Sequence, residues 1–257
     1  MICSPEKLRY GYPMNIEKTT NRFAKVYGSP GQGPRTLGPV RVFWPLMPIC
    51  LAAGWLLHAA LPVPHLSTSQ AGVLFVLLAA TLAAFTVWSA RRLRSFLRGA
   101  EGEETVARIL SFLPASHTVF NDLQLDPGGP AFDHIVVAPA GLFVIETKNW
   151  NGEITFQNGQ VLCNGRAPSR PPLKQVREEA SALVGHLSAA GCPEAPVYPV
   201  ICFVGNPPQG GLSNVGGVRI CTETDLRGLF ENTLETPLPA GTLGMIASEL
   251  ARCVEDK

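Results

Sequence analysis

The chain has no C-x-x-C pair. Its seven cysteines, at positions 3, 50, 163, 192, 202, 221 and 253, are odd in number and scattered. That pattern suggests neither a disulfide framework nor a zinc site, and fits reduced thiols in a cytoplasmic setting. Also missing are the G-x-x-x-x-G-K-[ST] phosphate loop, the G-x-S-x-G nucleophile elbow and the H-E-x-x-H zinc helix. The stretch "GSPGQG" lacks both the lysine and a preceding strand, and reads as linker. Acidic residues are scarce in one half only. Residues 1–100 hold 11 Lys+Arg against 2 Asp+Glu (+9), and residues 101–257 hold 10 against 18 (−8), inside an overall formal charge of +1. Two differently built halves therefore meet near residue 100 of the 257.

The first half carries the apolar bulk. "AGVLFVLLAATLAAFTVWSA", residues 71–90, contains no charge; as a helix it spans about 30 Å, one hydrocarbon core. It stops at "RRLRSFLR", with Trp88 where an interfacial aromatic sits. Residues 42–63 also lack Asp, Glu, Lys and Arg, although Pro45, Pro48 and His58 weaken them as a helix. The connector "PHLSTSQ" has no Lys or Arg while both flanks are basic, so the positive-inside rule gives a hairpin with both termini cytoplasmic. In a bacterium the membrane would be the inner one. The expected organisation is a disordered basic leader (1–40), a two-helix transmembrane hairpin (41–90), a basic juxtamembrane segment (91–98) suited to anionic lipid, and a globular domain (99–257). A buried hairpin in a soluble core is the alternative to the two spans.

The globular half predicts a helix over "GEETVARILSFLP", with Val106, Ile109, Leu110 and Leu113 at helical spacing. Strands follow at "HTVFNDL", "FDHIVVAP" and "GLFVIETKNW". "GEITFQNGQVLCNG" reads as a hairpin turning at Asn158-Gly159. A helix from about Pro172 to Ala189, a strand at "VYPVICFVG", a shorter one at "GVRICT" and helices near 224–232 and 239–254 complete the chain. The fold class is α/β: a mixed sheet flanked by helices, with an αβββαβ core, preceded by the two transmembrane helices.

Within this pattern the run Leu142–Ile145 suits a strand covered on both faces, yet Glu146 and Lys148 follow it on one side of the strand. An E-x-K pair is often only a solvated strand end. If the hairpin is symmetric about Pro139 and Ala140, however, paired positions sum to 279 and Asp133 faces Glu146, with β-carbons about 5 Å apart. Two such carboxylates repel by about 3 kcal/mol at an effective dielectric of 20, which Mg²⁺ relieves. Lys148 would then orient a water or steady developing charge on phosphorus. Glu103 projects inward with Val106 and Leu110, a position that also favours the helix dipole. Gln175 lies in the first turn opened by "RPPLKQ", where a polar residue is ordinary.

Together these stretches, "GAEGEE" with Glu103, "FDHIVVAPAGLFVIETKNWNG" with Asp133, Glu146 and Lys148, and "PPLKQ" with Gln175, resemble the NERD (nuclease-related) domain of the PD-(D/E)XK nuclease-like superfamily over residues 99–205. The resemblance implies Mg²⁺ (or Mn²⁺) held by Asp133, Glu146 and Glu103, hydrolysis assisted by Lys148, and Gln175 steadying the site or its water. Phe132 and Pro171 depart from residues common in the family, without touching a ligand position. The expected activity is membrane-anchored, Mg²⁺-dependent cleavage of DNA or RNA, a DNA-processing role included. The alternative is a catalytically silent nucleic-acid- or protein-binding module on the same fold. The charge of −8 weighs against polyanion binding, since that affinity comes from Lys and Arg.

Overall fold

The computed structural model describes residues 22–31, 44, 46–59, 67–208, 213–230 and 237–255. Its centre is a seven-stranded mixed sheet in the order β1-β2-β3-β4-β7-β9-β8. The strands are β1 (Lys25–Tyr27), β2 (Thr118–Gln124), β3 (Ala131–Ala138), β4 (Gly141–Lys148), β7 (Val197–Phe203), β8 (Ser213–Val215) and β9 (Val218–Thr222). A separate ribbon pairs β5 (Ile154–Gln157) with β6 (Gln160–Cys163). Asn158 and Gly159 join them with φ of 50° and 70°, the left-handed pair that a tight hairpin turn requires.

The helices are α1 (Leu46–Ala59), α2 (Thr68–Leu110), α3 (Pro172–Ala189) and α4 (Ala240–Glu255). The expected αβββαβ order is present as α2-β2-β3-β4-α3-β7. Where a helix near 224–232 was expected, the chain makes turns and a single 3₁₀ turn, Gly228–Phe230; residues 231–236 lie outside the described set.

β4 explains its own sequence. It pairs with β3 on one edge and, in parallel, with β7 on the other, while helices pack on both its faces, so Leu142, Phe143, Val144 and Ile145 are fully buried. Leu142 and Val144 join a core with Leu183 of α3 and Ile246 of α4, whereas Phe143 and Ile145 join Val106 and Leu110 of α2 on the opposite face. Each such side chain contributes about 1.5–3 kcal/mol by leaving water.

Two expectations about the first half are corrected. Residues 22–31 of the leader are structured: β1 lies parallel to the open edge of β2, Ala24 N–H donates to Leu113 O at 2.8 Å, and Tyr27 stacks on Phe120 at 5.0 Å. A three-residue strand leaves no periodic signature; the edge it docks on supplies the order. The basic segment 91–98 is not a break between helices either. Arg and Leu are good helix formers, and α2 continues through them for 43 residues, about 65 Å. Its start is fixed by a capping box in which Ser67 Oγ accepts from Gln70 N–H and Ser67 N–H donates to Gln70 Oε1.

Among the described residues, one helix is long and apolar enough by length and composition to cross a membrane, within Gly72–Leu110, and its apolar window is almost wholly uncovered by the rest of the chain. α1 has 14 residues, about 21 Å, too short for a hydrocarbon core. The remainder of that expected span, apart from Trp44, lies outside the described residues. Among the described residues there is one candidate helix, and a two-helix transmembrane hairpin is not shown.

α2 reaches the end of β4 through a close approach at Gly102, where a β-carbon would stand 2.8 Å from Asn149 Cβ. Asn149 Nδ2 donates to Arg98 O at 2.9 Å, locking the same junction. Gly102→Ala should therefore cost about 1–3 kcal/mol of overpacking, partly offset by helix propensity. Gly99→Ala, with open space around it, should gain up to about 1 kcal/mol. Thermal unfolding of the detergent-solubilised full chain separates the two: the first variant melts lower than the parent and the second does not.

Candidate functional site

The β3–β4 ladder pairs His134 with Ile145, Ile135 with Val144 and Val136 with Phe143, each summing to 279. Continued by one step it sets Asp133 opposite Glu146, the register expected from the turn. Asp133 Oδ2 accepts a hydrogen bond from Thr147 N–H at 2.8 Å, which fixes its carboxylate beside the end of β4. Glu146 is buried, and Lys148, on the same side of the strand, pairs its Nζ with Glu146 Oε1. Lys148 Nζ also donates to Gln175 Oε1 at 3.3 Å. α3 brings Gln175 there because Leu173, Val176, Ala180 and Leu183 turn the same helix face onto the sheet.

Glu103 arrives from the other side. α2 covers the opposite face of the sheet, and the contact at Gly102 lets its next residue reach round the strand ends. There Glu103 Oε2 accepts from Gly31 N–H at 3.0 Å, so the structured part of the leader touches the site. All five expected residues, Glu103, Asp133, Glu146, Lys148 and Gln175, therefore meet at one end of the sheet, joined by hydrogen bonds or by charge.

One residue was missed. Glu179, one helical turn beyond Gln175, is buried, accepts from Gln175 Nε2 at 2.9 Å and has Arg170 Nη2 at 3.9 Å. The signal was legible: a glutamate between Val176 and Ala180 on an apolar helix face, the reasoning already applied to Glu103. Asp122 adds further negative charge near Glu103, from a point where β2 takes a φ of 48°.

This concentration of carboxylates is uncomfortable. Burial, then the charges of Asp122 and Glu146, push the Glu103 carboxyl up to about 7, against the hydrogen bond from Gly31. Burial, then Glu146 and Glu103, hold Asp133 well above the usual carboxylate range. Burial, then Glu146, push Glu179 up to about 8. Among the described residues, Glu146 Oε2 and Glu179 Oε2 are buried without a hydrogen-bond partner, a costly state for a charged oxygen. Four carboxyl groups around one ammonium, with two oxygens unsatisfied, are oxygen-only groups of the chemistry that a hard divalent cation such as Mg²⁺ or Mn²⁺ takes. On the other face, behind Asp133, His134 Nδ1 pairs with Asn121 Oδ1 at 2.8 Å. Burial lowers that imidazole to about 3, so it is neutral.

Residues 98–204 match the family model described as the nuclease-related domain, NERD. Over that segment the chain is similar to the nuclease-related domain. The match covers the segment in which the sequence resemblance lay, and its limits enclose Glu103, Asp133, Glu146, Lys148, Gln175 and Glu179. The chain is also similar to a Streptomyces coelicolor protein named "Probable kinase PglW", at 37% identity over 78 residues. That stretch is 29% of this chain and 5% of the relative's own length. No solved structure matches.

The raised carboxyls of this site make a pH prediction with a defined sign. A glutamate that ionises near 4.5 when unfolded but at about 8 when folded costs stability progressively as pH rises between those values, because the folded state binds the extra proton. In chelator-treated protein, Glu179→Gln should therefore raise the melting temperature over the parent by an amount that grows from pH 5 to pH 8. Added Mn²⁺ should narrow the gap at pH 8 and leave it unchanged at pH 5. A gap independent of pH would contradict the assignment.

Proposed function

We propose that the NERD domain is a divalent-cation-dependent phosphodiesterase that cleaves DNA or RNA, anchored by the apolar part of α2 at the cytoplasmic face of a membrane. The observation that carries this reading is the convergence of Glu103, Asp133 and Glu146 on the Lys148 ammonium, with a buried oxygen of Glu146 left unsatisfied. Asp133, Glu146 and Glu103 would hold Mg²⁺ or Mn²⁺, with Glu179 close enough to share the charge. The cation would polarise a phosphoryl oxygen and acidify a water.

The protein's own contribution is positioning and charge. Gln175, itself held by Glu179, restrains Lys148 Nζ beside Glu146. With a cation taking the Glu146 charge, that ammonium is released to orient a water or to oppose charge building on the phosphate. Thr147 N–H keeps Asp133 aimed at the same point.

Anchoring is supported by the helix itself. Trp88 lies at the end of the uncharged stretch with the Arg92 guanidinium 5.3 Å from its ring centroid, a cation–π pair of the kind favoured at a membrane interface. Arg91, Arg92, Arg94 and Arg98 would then meet anionic lipid. A second reading, a binding or regulatory module that turns over no substrate, is favoured by the −8 charge of residues 101–257.

Three measurements on the detergent-solubilised full chain test the proposal. Mn²⁺ titrated calorimetrically should bind saturably, and Asp133→Asn should remove the heat; equal binding in that variant overturns the cation site. With Mn²⁺ present, labelled DNA or RNA should be cut, and Lys148→Ala should slow cleavage by about 100-fold or more while keeping Mn²⁺ binding. Binding without cleavage of any nucleic acid selects the silent module. The protein should also stay in the membrane fraction through alkaline carbonate washing; its release into the supernatant would rule out an integral anchor.

A further inference from the structure

A second cluster lies away from the NERD carboxylates, between α3 and α4. His186 in the last turn of α3 faces Glu249 and Cys253, which sit four residues apart on one face of α4. His186 Nε2 is 3.6 Å from Glu249 Oε1 and 3.6 Å from Cys253 Sγ. All three ligand-type atoms lie within 4.8 Å of one another. The side chains of His186 and Glu249 are 15% and 13% exposed, so the cluster is sheltered yet open to water on one side.

These separations match what a tetrahedral zinc centre demands. Zn–S of about 2.3 Å and Zn–N of about 2.05 Å at the tetrahedral angle place sulfur and nitrogen about 3.6 Å apart, and a carboxylate oxygen about 3.4 Å from the nitrogen. The surroundings fit as well. Asp126, on the loop between β2 and β3, has Oδ1 4.0 Å from His186 Nδ1. That distance is beyond a hydrogen bond; with the proton on Nδ1, the Nε2 lone pair is left for a metal. Arg252 engages Glu249 Oε2, holding the carboxylate and leaving Oε1 toward His186. The Cys253 thiol contacts Glu249 O at 3.7 Å, and ionising it would exchange that contact for a metal bond. One thiolate, one carboxylate and a neutral imidazole sum to −2, the charge that a divalent ion cancels.

We propose that His186 Nε2, Glu249 Oε1 and Cys253 Sγ bind a thiophilic divalent cation, zinc, with water in the fourth position, clamping the last helix to α3. The donor set separates this site from the carboxylate site. Sulfur and imidazole favour zinc over Mg²⁺, and oxygen-only donors do the reverse. The clamp joins α4, which follows the matched segment 98–204, to the domain whose core Ile246 and Leu250 help to fill. It also revises the expectation, drawn from the absence of any C-x-x-C pair, that the cysteines make no zinc site. The ligands come from two helices, and no short motif records them.

Cobalt(II) is the probe, because thiolate ligation gives a sulfur-to-cobalt charge-transfer absorption that oxygen-only sites lack. The full chain in detergent, stripped with chelator, should develop that band to saturation at one Co²⁺ per chain. Zinc should bleach it and excess Mg²⁺ should not. Cys253→Ser should abolish the band; His186→Ala should weaken Co²⁺ binding by more than the about 10–100-fold typical of outer-shell changes. Asp133→Asn should leave the band intact, which keeps this site distinct from the proposed nuclease centre. A band that never forms, or one that survives in Cys253→Ser, overturns the proposal. As a readout independent of colour, zinc should raise the melting temperature of the parent and not that of His186→Ala.

Discussion

The arrangement at the end of β4 depends on one electrostatic constraint: more carboxylate is buried there than the protein's own cations neutralise. Glu146 sits on a strand covered on both faces, so it cannot turn to water, and Asp133 is set across from it by the hairpin register. Lys148 answers one oxygen of one group. The remainder is met by protons: burial and neighbouring charge push the Glu103 carboxyl up to about 7 and the Glu179 carboxyl up to about 8. With the proposed cation, such a site would respond to both pH and metal concentration. The fold supplies that poise by burial more than by any single contact.

The same constraint organises the two helices that close the site. α2 and α3 lie on opposite faces of the sheet and meet only at its end, one contributing Glu103 and the other Gln175 and Glu179. Gly102 sets the depth of that approach, and the Asn149–Arg98 bond holds it. Because α2 is one continuous rod, Glu103 stands 13 residues beyond Ala90, about 20 Å along the axis. With the apolar part of the helix in a bilayer, the carboxylates would be held within about that distance of the lipid surface.

Much of this was legible in the sequence because it rests on local rules. The period of two placed Glu146 and Lys148 together, the Pro139-Ala140 turn gave the pairing sum, and Asn158-Gly159 announced its hairpin. What escaped had causes that no local pattern records. β1 is ordered by the open edge of β2, a tertiary effect on a segment of Gly and Pro. α2 runs unbroken through Arg91–Arg98 because nothing in that stretch stops a helix, although the change from apolar to basic looked like a boundary. Glu179 is legible as an inward glutamate on an apolar helix face, although no short motif marks it.

The two proposed cation sites differ in the way their surroundings require. The carboxylate site is at the sheet end, where strands fix spacing rigidly and where oxygen donors crowd round an ammonium; that suits a hard ion which keeps several waters and exchanges readily. The His186–Glu249–Cys253 cluster spans two helices that both feed the same core. A soft ligand set there would bind tightly and close a contact, and the open fourth position faces solvent with no basic cluster beside it. Charge, more than geometry, divides their roles: the first site has an ammonium positioned beside its oxygens, as phosphate chemistry needs, and the second has a guanidinium turned onto the back of a ligand, as a structural clamp needs.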